Sequence, residues 1–192
     1  MLTETAARWM LVLHTVLGVA AVGSATHLVL WLRRLVASHG GGLAATRRFG
    51  WLTLALQVGA FIAGNLMYPT YKVQVRAAYL ESPAAVASDH TLRQQEIARV
   101  SAREGLPAPE ATPTATLVRQ AQKAARWFDV KEHWVALGVI ACGALVLVLM
   151  LWDPRRDDRA LAPVITALAV AVAGTLWLGA IIGVLTASWR AV

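Results

Sequence analysis

The chain is poor in the residues from which soluble enzymes build their sites. Its single cysteine rules out an internal disulfide and any cysteine-based metal cluster. Charged residues make up only 15%, with 11 acids against 18 Lys and Arg. No Gly-rich phosphate loop, no Cys-x-x-Cys and no His-Glu-x-x-His occurs. The chain therefore carries no complete catalytic constellation, and whether it is an enzyme stays open. The lone thiol, Cys142, lies within an apolar run and reads as a small packing residue.

What fills the chain instead is apolar. Hydrophobic residues reach 57% and mean hydropathy is +0.54, a membrane composition. Four runs are long enough to cross a bilayer, at about 20 apolar residues each. They extend from Trp9 to Leu32, Phe49 to Tyr71, His133 to Trp152 and Leu161 to Trp189. Backbone groups in hydrocarbon must bond internally, so the expected fold is all-α: an integral membrane four-helix up-down bundle, one domain over 1–192. Tryptophans near the span ends suit an interfacial belt. The first run continues past Gly23-Ser24-Ala25 to the Arg33-Arg34 stop, longer than the apolar region of a cleaved signal. The net charge of +7 sits in residues flanking the spans, which points to the lipid bilayer as partner and to no nucleic acid. Arg33, Arg34, Arg47, Arg48, Arg155, Arg156 and Arg159 crowd the two short connections, favouring a cytoplasmic side for them.

A repeat runs through the chain. Ala6-Ala7-Arg8-Trp9 precedes His14, Gly18 and Gly23, and Ala124-Ala125-Arg126-Trp127 precedes His133, Gly138 and Gly143. Downstream, Ala63-Gly64-Asn65-Leu66 parallels Ala173-Gly174-Thr175-Leu176. This reads as two duplicated helical hairpins in parallel orientation. The expectation is that His14 matches His133, Gly18 matches Gly138, and Gly64 matches Gly174. The 72–126 segment between the hairpins is extramembrane and too short to bury a core of its own. In it Val73 to Glu81 continues the second helix, Ser82-Pro83 starts another, Leu92 to Glu104 is polar and helical, and Gly105 to Pro113 breaks. Thr116 to Trp134 runs on without a breaker, so the third span is expected to project outward. The segment reads as a lid or a docking surface.

Ionisable groups within spans are costly and mark function. His14 and His133 enter from the same face at similar depth, on helices that lie diagonally across an up-down bundle. Two such imidazoles can clamp a haem iron as axial, metal-binding ligands. Small residues at Gly18, Ala21 and Ala25 beside His14, and at Ala171, Thr175, Gly179, Gly183 and Ala187, leave room for a cofactor or let helices approach closely. His27 is expected to be structural, with Gln57 as a hydrogen-bond partner, and His39 and His90 to be solvated. Asn65, Tyr68, Pro69, Tyr71 and Lys72 emerge on the face of His14, where Asp129, Lys131 and Glu132 also arrive. Cofactor-binding candidates are His14, His133, Gly18, Asn65, Tyr68 and Lys131, with Lys72, Lys131 and Arg126 suited to haem propionates or the mouth to a quinone.

Leu13-His14-Thr15-Val16-Leu17-Gly18 to Gly23, with His133 to Gly143, resembles bacterial membrane b-type cytochromes and the copper-resistance protein D class. The resemblance covers about a fifth of the chain and implies bis-histidine haem b in a bacterial inner membrane, exchanging electrons with quinol or a respiratory partner. One histidine pair rather than two implies one haem. The alternatives are a cofactor-free subunit of a larger membrane complex, and a copper-handling protein using His14 and His133 with Met10 and Met67.

Overall fold

The computed structural model describes residues 2–37, 42–107, 110–152 and 160–188. His39, the Asp153 to Arg159 connection with its three arginines, and Trp189 lie outside the described residues. Regular structure among the described residues is helical throughout. It comprises α1 (Glu4–Ala37), α2 (Leu43–Thr70), a π-helix (Tyr71–Leu80), α3 (Pro83–Glu104), α4 (Thr114–Leu151) and α5 (Leu161–Ser188). Four stretches are long and apolar enough to cross a membrane: Glu4–Ala37, Leu43–Leu80, Thr114–Leu151 and Leu161–Ala187. This is consistent with an integral membrane protein.

The long helices pack in a ring. α1 lies against α2 and α5, and α4 lies against the same two, while α1 and α4 have no Cα atoms within 8 Å among the described residues. Contacts give an antiparallel register between neighbours. His14 meets Ala60 and Ser24 meets Thr53 across α1 and α2. Gly50 faces Val146 and Leu149, and Gln57 faces Gly138, across α2 and α4. Thr175 faces Gly138 and Gly183 faces Lys131 across α5 and α4.

Packing is uneven along the ring. The main core joins Ala21, Ala25, Leu28, Leu32 and Leu35 of α1 to Cys142, Leu145 and Leu149 of α4 and Ile165, Ala169 and Val172 of α5. Those positions recur every three or four residues, so each helix turns one face inward. All belong to the half nearest the short connections. Trp152, read from sequence as a belt residue, is 3% exposed within this core. Arg47 closes the same end. Its Nε–H donates to the Leu149 carbonyl at 2.8 Å, and its Nη2 to those of Met150 at 3.1 Å and Trp152 at 3.3 Å. Carbonyls at a helix C-terminus lack intrahelical donors and attract a cation. Arg47 is thus an inter-helix cap and not only a charge that sets orientation.

At the other end the helices outrun the core. Pro69 has no N–H to give, and directly after it the ladder widens into the π-helix. Ser82 Oγ accepts from the Ala85 N–H at 3.3 Å, and Pro83 takes the first helical position, the cap expected from sequence. α3 starts there, earlier than the polar stretch indicated, and stops at Gly105 with φ 66°. α4 is one helix from Thr114, as its unbroken run requires. Leu80, Val86, Ala121 and Ala125 form a small second core beneath α3.

Candidate functional site

The polar residues cluster where the main core ends. His14 is half-buried on the inward face of α1, and its Nδ1 lies 2.8 Å from the Ala60 carbonyl. A carbonyl only accepts, so Nδ1 carries a proton and donates to it, and in the neutral ring Nε2 is an acceptor. Gly64 makes this possible. A Cβ there would stand 3.2 Å from His14 Cε1. One helical turn on, Gly18 meets nothing within 4 Å, so the small stripe beginning at His14 opens here into space.

Lys131 reaches the same region from α4. Its Nζ lies 3.0 Å from where a Gly183 Cβ would sit, so the glycine on α5 admits the ammonium. The ammonium stands 6.0 Å from the centre of the Phe128 ring. Phe128 in turn stacks on Tyr71 at 3.9 Å and on Tyr68 at 6.4 Å. Arg76 on the π-helix anchors this wall, donating to Glu81 at 2.7 Å and Asp129 at 2.5 Å. Thus His14, Lys131 and Tyr68 of the sequence candidates come together at one mouth. Phe128 was missed, although it shares a helical face with Lys131 and Val135 at offsets of three and seven.

His133 is elsewhere. The pairings Gln57–Gly138 and Tyr71–Phe128 bracket its level at that of Gly64, hence of His14. Its direction differs. His133 is exposed, its Nδ1 rests on the Asp129 carbonyl of its own helix at 2.8 Å, and Leu137 and Ile140 on the same face are exposed too. The inward face of α4 carries Lys131, Gly138 and Cys142. Lys131 and His133 are two residues apart, which is about 200° around a helix. The residues present therefore do not fit a bis-histidine haem within one chain. His14 has the anchored imidazole of an axial ligand, but the second ligand faces away. Among the described residues no group of three or more His, Cys, Asp or Glu could hold a metal ion.

Asn65 is exposed and its amide donates to the Phe61 carbonyl of its own helix at 2.9 Å. Lys72 and Arg126 are exposed. Gln57 does not pair with His27. It is 1% exposed, wedged against Gly138 and Thr175, and neither amide atom has a hydrogen-bond partner. His27 bonds back to the Gly23 carbonyl and stacks on Phe49. His90 is not simply solvated, since it pairs with Thr114 and Gln94. Of the matched glycines of the repeat, Gly23 and Gly143 both meet nothing within 4 Å, but the other two pairs sit in unlike settings. Gly138 and Gly64 are packed tightly, whereas Gly18 and Gly174 meet nothing within 4 Å.

Compared with known proteins, the chain matches no family model, no curated protein and no solved structure.

Proposed function

We propose that the chain is an integral membrane four-helix up-down bundle whose open end receives the head group of a quinone or quinol. The observation that carries this reading is the setting of His14, a half-buried imidazole with Nδ1 on the Ala60 carbonyl, one helical turn from Gly18, where nothing lies within 4 Å of a Cβ position. A quinol hydroxyl is a donor that suits Nε2, and a quinone carbonyl is an acceptor that suits the Lys131 ammonium. The flat faces of Phe128, Tyr71 and Tyr68 offer a stacking wall. Leu13, Val16 and Val19, exposed on α1 beside the mouth, suit an isoprenoid tail. Electrons would pass to a respiratory partner docked on the extramembrane helices.

The test is retention of quinone by the protein purified from bacterial membranes in mild detergent, extracted and quantified by chromatography. Wild type is expected to retain quinone, and His14→Ala and Lys131→Met to lower retention by roughly tenfold or more, the worth of a hydrogen bond involving a charged or buried group. His133→Ala is expected to leave it unchanged. Equal retention by wild type and His14→Ala sinks the proposal. A dithionite-reduced spectrum of the same sample decides the haem b reading, which requires a low-spin band lost with either histidine. The outward setting of His133 disfavours that reading. It favours instead, as second reading, a cofactor-free subunit of a larger membrane complex, with the exposed face of His133, Leu137 and Ile140 as a seam for a neighbouring span. Copurification of a complex with neither quinone nor haem assigned to this chain supports it.

A further inference from the structure

The opposite end of α1 carries a feature that the quinone reading does not use. His27, Leu30, Trp31, Arg33 and Arg34 line a cavity of ≈ 460 Å³. His27, Leu30, Trp31 and Arg34 fall at offsets of three, four and seven, so they share one face of the helix. That face looks outward, with His27, Leu30, Arg33 and Arg34 all exposed. It is nevertheless built. Phe49 of α2 stacks on His27 with ring centres 6.0 Å apart and on Trp31 at 6.2 Å, fixing an aromatic wall between the two helices. The Arg34 guanidinium lies 5.6 Å from the Trp31 ring centre, within cation–π reach of another residue that lines the cavity.

Neither Arg33 nor Arg34 forms an ion pair with an acid among the described residues, whereas Arg47 nearby is consumed by the carbonyls that end α4. Two adjacent guanidiniums stand at the end of an apolar run, above a slot with an aliphatic and aromatic lining. From Arg34 down to His27 is about 10 Å at 1.5 Å per residue, the reach from a phosphate to the first acyl methylenes. A soluble anion would satisfy the arginines and leave the apolar slot empty. A neutral lipid would fill the slot and leave the arginines unpaired. We propose that this cavity binds one anionic glycerophospholipid, its phosphate on Arg33 and Arg34 and its upper acyl chain along Trp31 and Leu30. Guanidinium matches phosphate geometry with paired hydrogen bonds, and basic residues at membrane surfaces favour anionic over zwitterionic lipid.

The experiment uses the full chain in nanodiscs of equal phosphatidylglycerol and phosphatidylcholine, then detergent release and native mass spectrometry of the lipids that stay bound. Wild type is expected to keep one phosphatidylglycerol in preference to phosphatidylcholine. Arg33→Gln with Arg34→Gln is expected to lower that retention by about tenfold or more. The control, Arg99→Gln with Arg103→Gln on exposed α3, is expected to leave it as in wild type. Retention unaffected by the α1 pair overturns the proposal, because a diffuse belt of lipid then explains it, as does equal retention of both lipids by wild type. A second measurement needs no variant. Inorganic phosphate at millimolar concentration is expected not to displace phosphatidylglycerol from wild type, and displacement would assign the site to a free anion and overturn the lipid. Quinone retention is unaffected in either case, so the two proposals fail separately.

Discussion

The two ends of the bundle obey different packing rules. Toward the short connections, leucines from α1 and α4 and branched residues from α5 meet at full burial, and Gly50 lies in ordinary contact with Val146 and Leu149. Toward the mouth, buried positions thin out, and glycines admit polar groups: Gly64 takes His14 and Gly183 takes Lys131. Small residues on membrane helices are usually explained by close approach of backbones. Here the same residue type serves helix contact at one end and side-chain placement at the other. The lesson is that a dense, apolar half can hold the helices together while the open half accommodates ionisable groups that glycines admit.

Substitutions can break that comparison, and the largest effect belongs to the dense half. Leu145→Ala, at a fully buried site, is expected to destabilise the purified protein by about 2–5 kcal/mol, read as a lower thermal midpoint in detergent. The matching change in the open half, Leu13→Ala at 48% exposure, is expected to stay within about 0.5 kcal/mol. Equal losses would erase the distinction. Arg47→Met comes next, with about 1.5–3 kcal/mol for the hydrogen bonds it makes to the end of α4. Arg47→Lys, which keeps the charge but not the fork, is expected to recover only part of this in the same melt.

Glycine substitutions sharpen the contrast further. An alanine at Gly138 would set its Cβ 2.6 Å from Thr175 Oγ1 and 2.8 Å from Gln57 Nε2, so Gly138→Ala is expected to cost about 1–3 kcal/mol through overpacking. Gly18→Ala meets nothing within 4 Å and is expected to be neutral or to stabilise by up to about 1 kcal/mol through helix propensity. Gly18→Leu is the more useful variant, because it fills the open position one helical turn from His14. It is expected to leave the melt unchanged and to lower quinone retention. Unchanged retention would show that the space at Gly18 is not where a head group sits. Arg76→Met is expected to cost about 1 kcal/mol or less, shrinking in high salt because Glu81 and Asp129 are partly exposed.

Much of the fold was legible because the signals were local. Ser82-Pro83 capped a helix as its residues demand, and α4 ran on where no breaker interrupts it. Lys131 and Tyr68 were legible as a mouth because they flank the same membrane end. The partner of His14 was not. The distance from Trp9 to His14 is five residues and from Trp127 to His133 six, and one extra residue turns a side chain by about 100°. That turn carries His133 off the inward face occupied by Lys131 and Gly138. Depth is set by counting residues along a helix, whereas direction depends on which face a neighbour covers.

Composition and apolar run length by themselves determined the four helices long and apolar enough to cross a membrane and the helical extension beyond them, because hydrocarbon thickness and backbone hydrogen bonding leave few alternatives. Only the tertiary structure decided which face of each helix looks inward. α5 is apolar on every side, so no periodicity marks its buried stripe. Arg47 finds its carbonyls 102 residues away, Gln57 is sealed by Gly138 and Thr175 from two other helices, and Phe49 of α2 stacks on His27 and Trp31 of α1, which line the cavity at Arg33 and Arg34. Each is a contact between segments remote in sequence, fixed by how four rods settle against one another, and a single chain of letters carries no record of that angle.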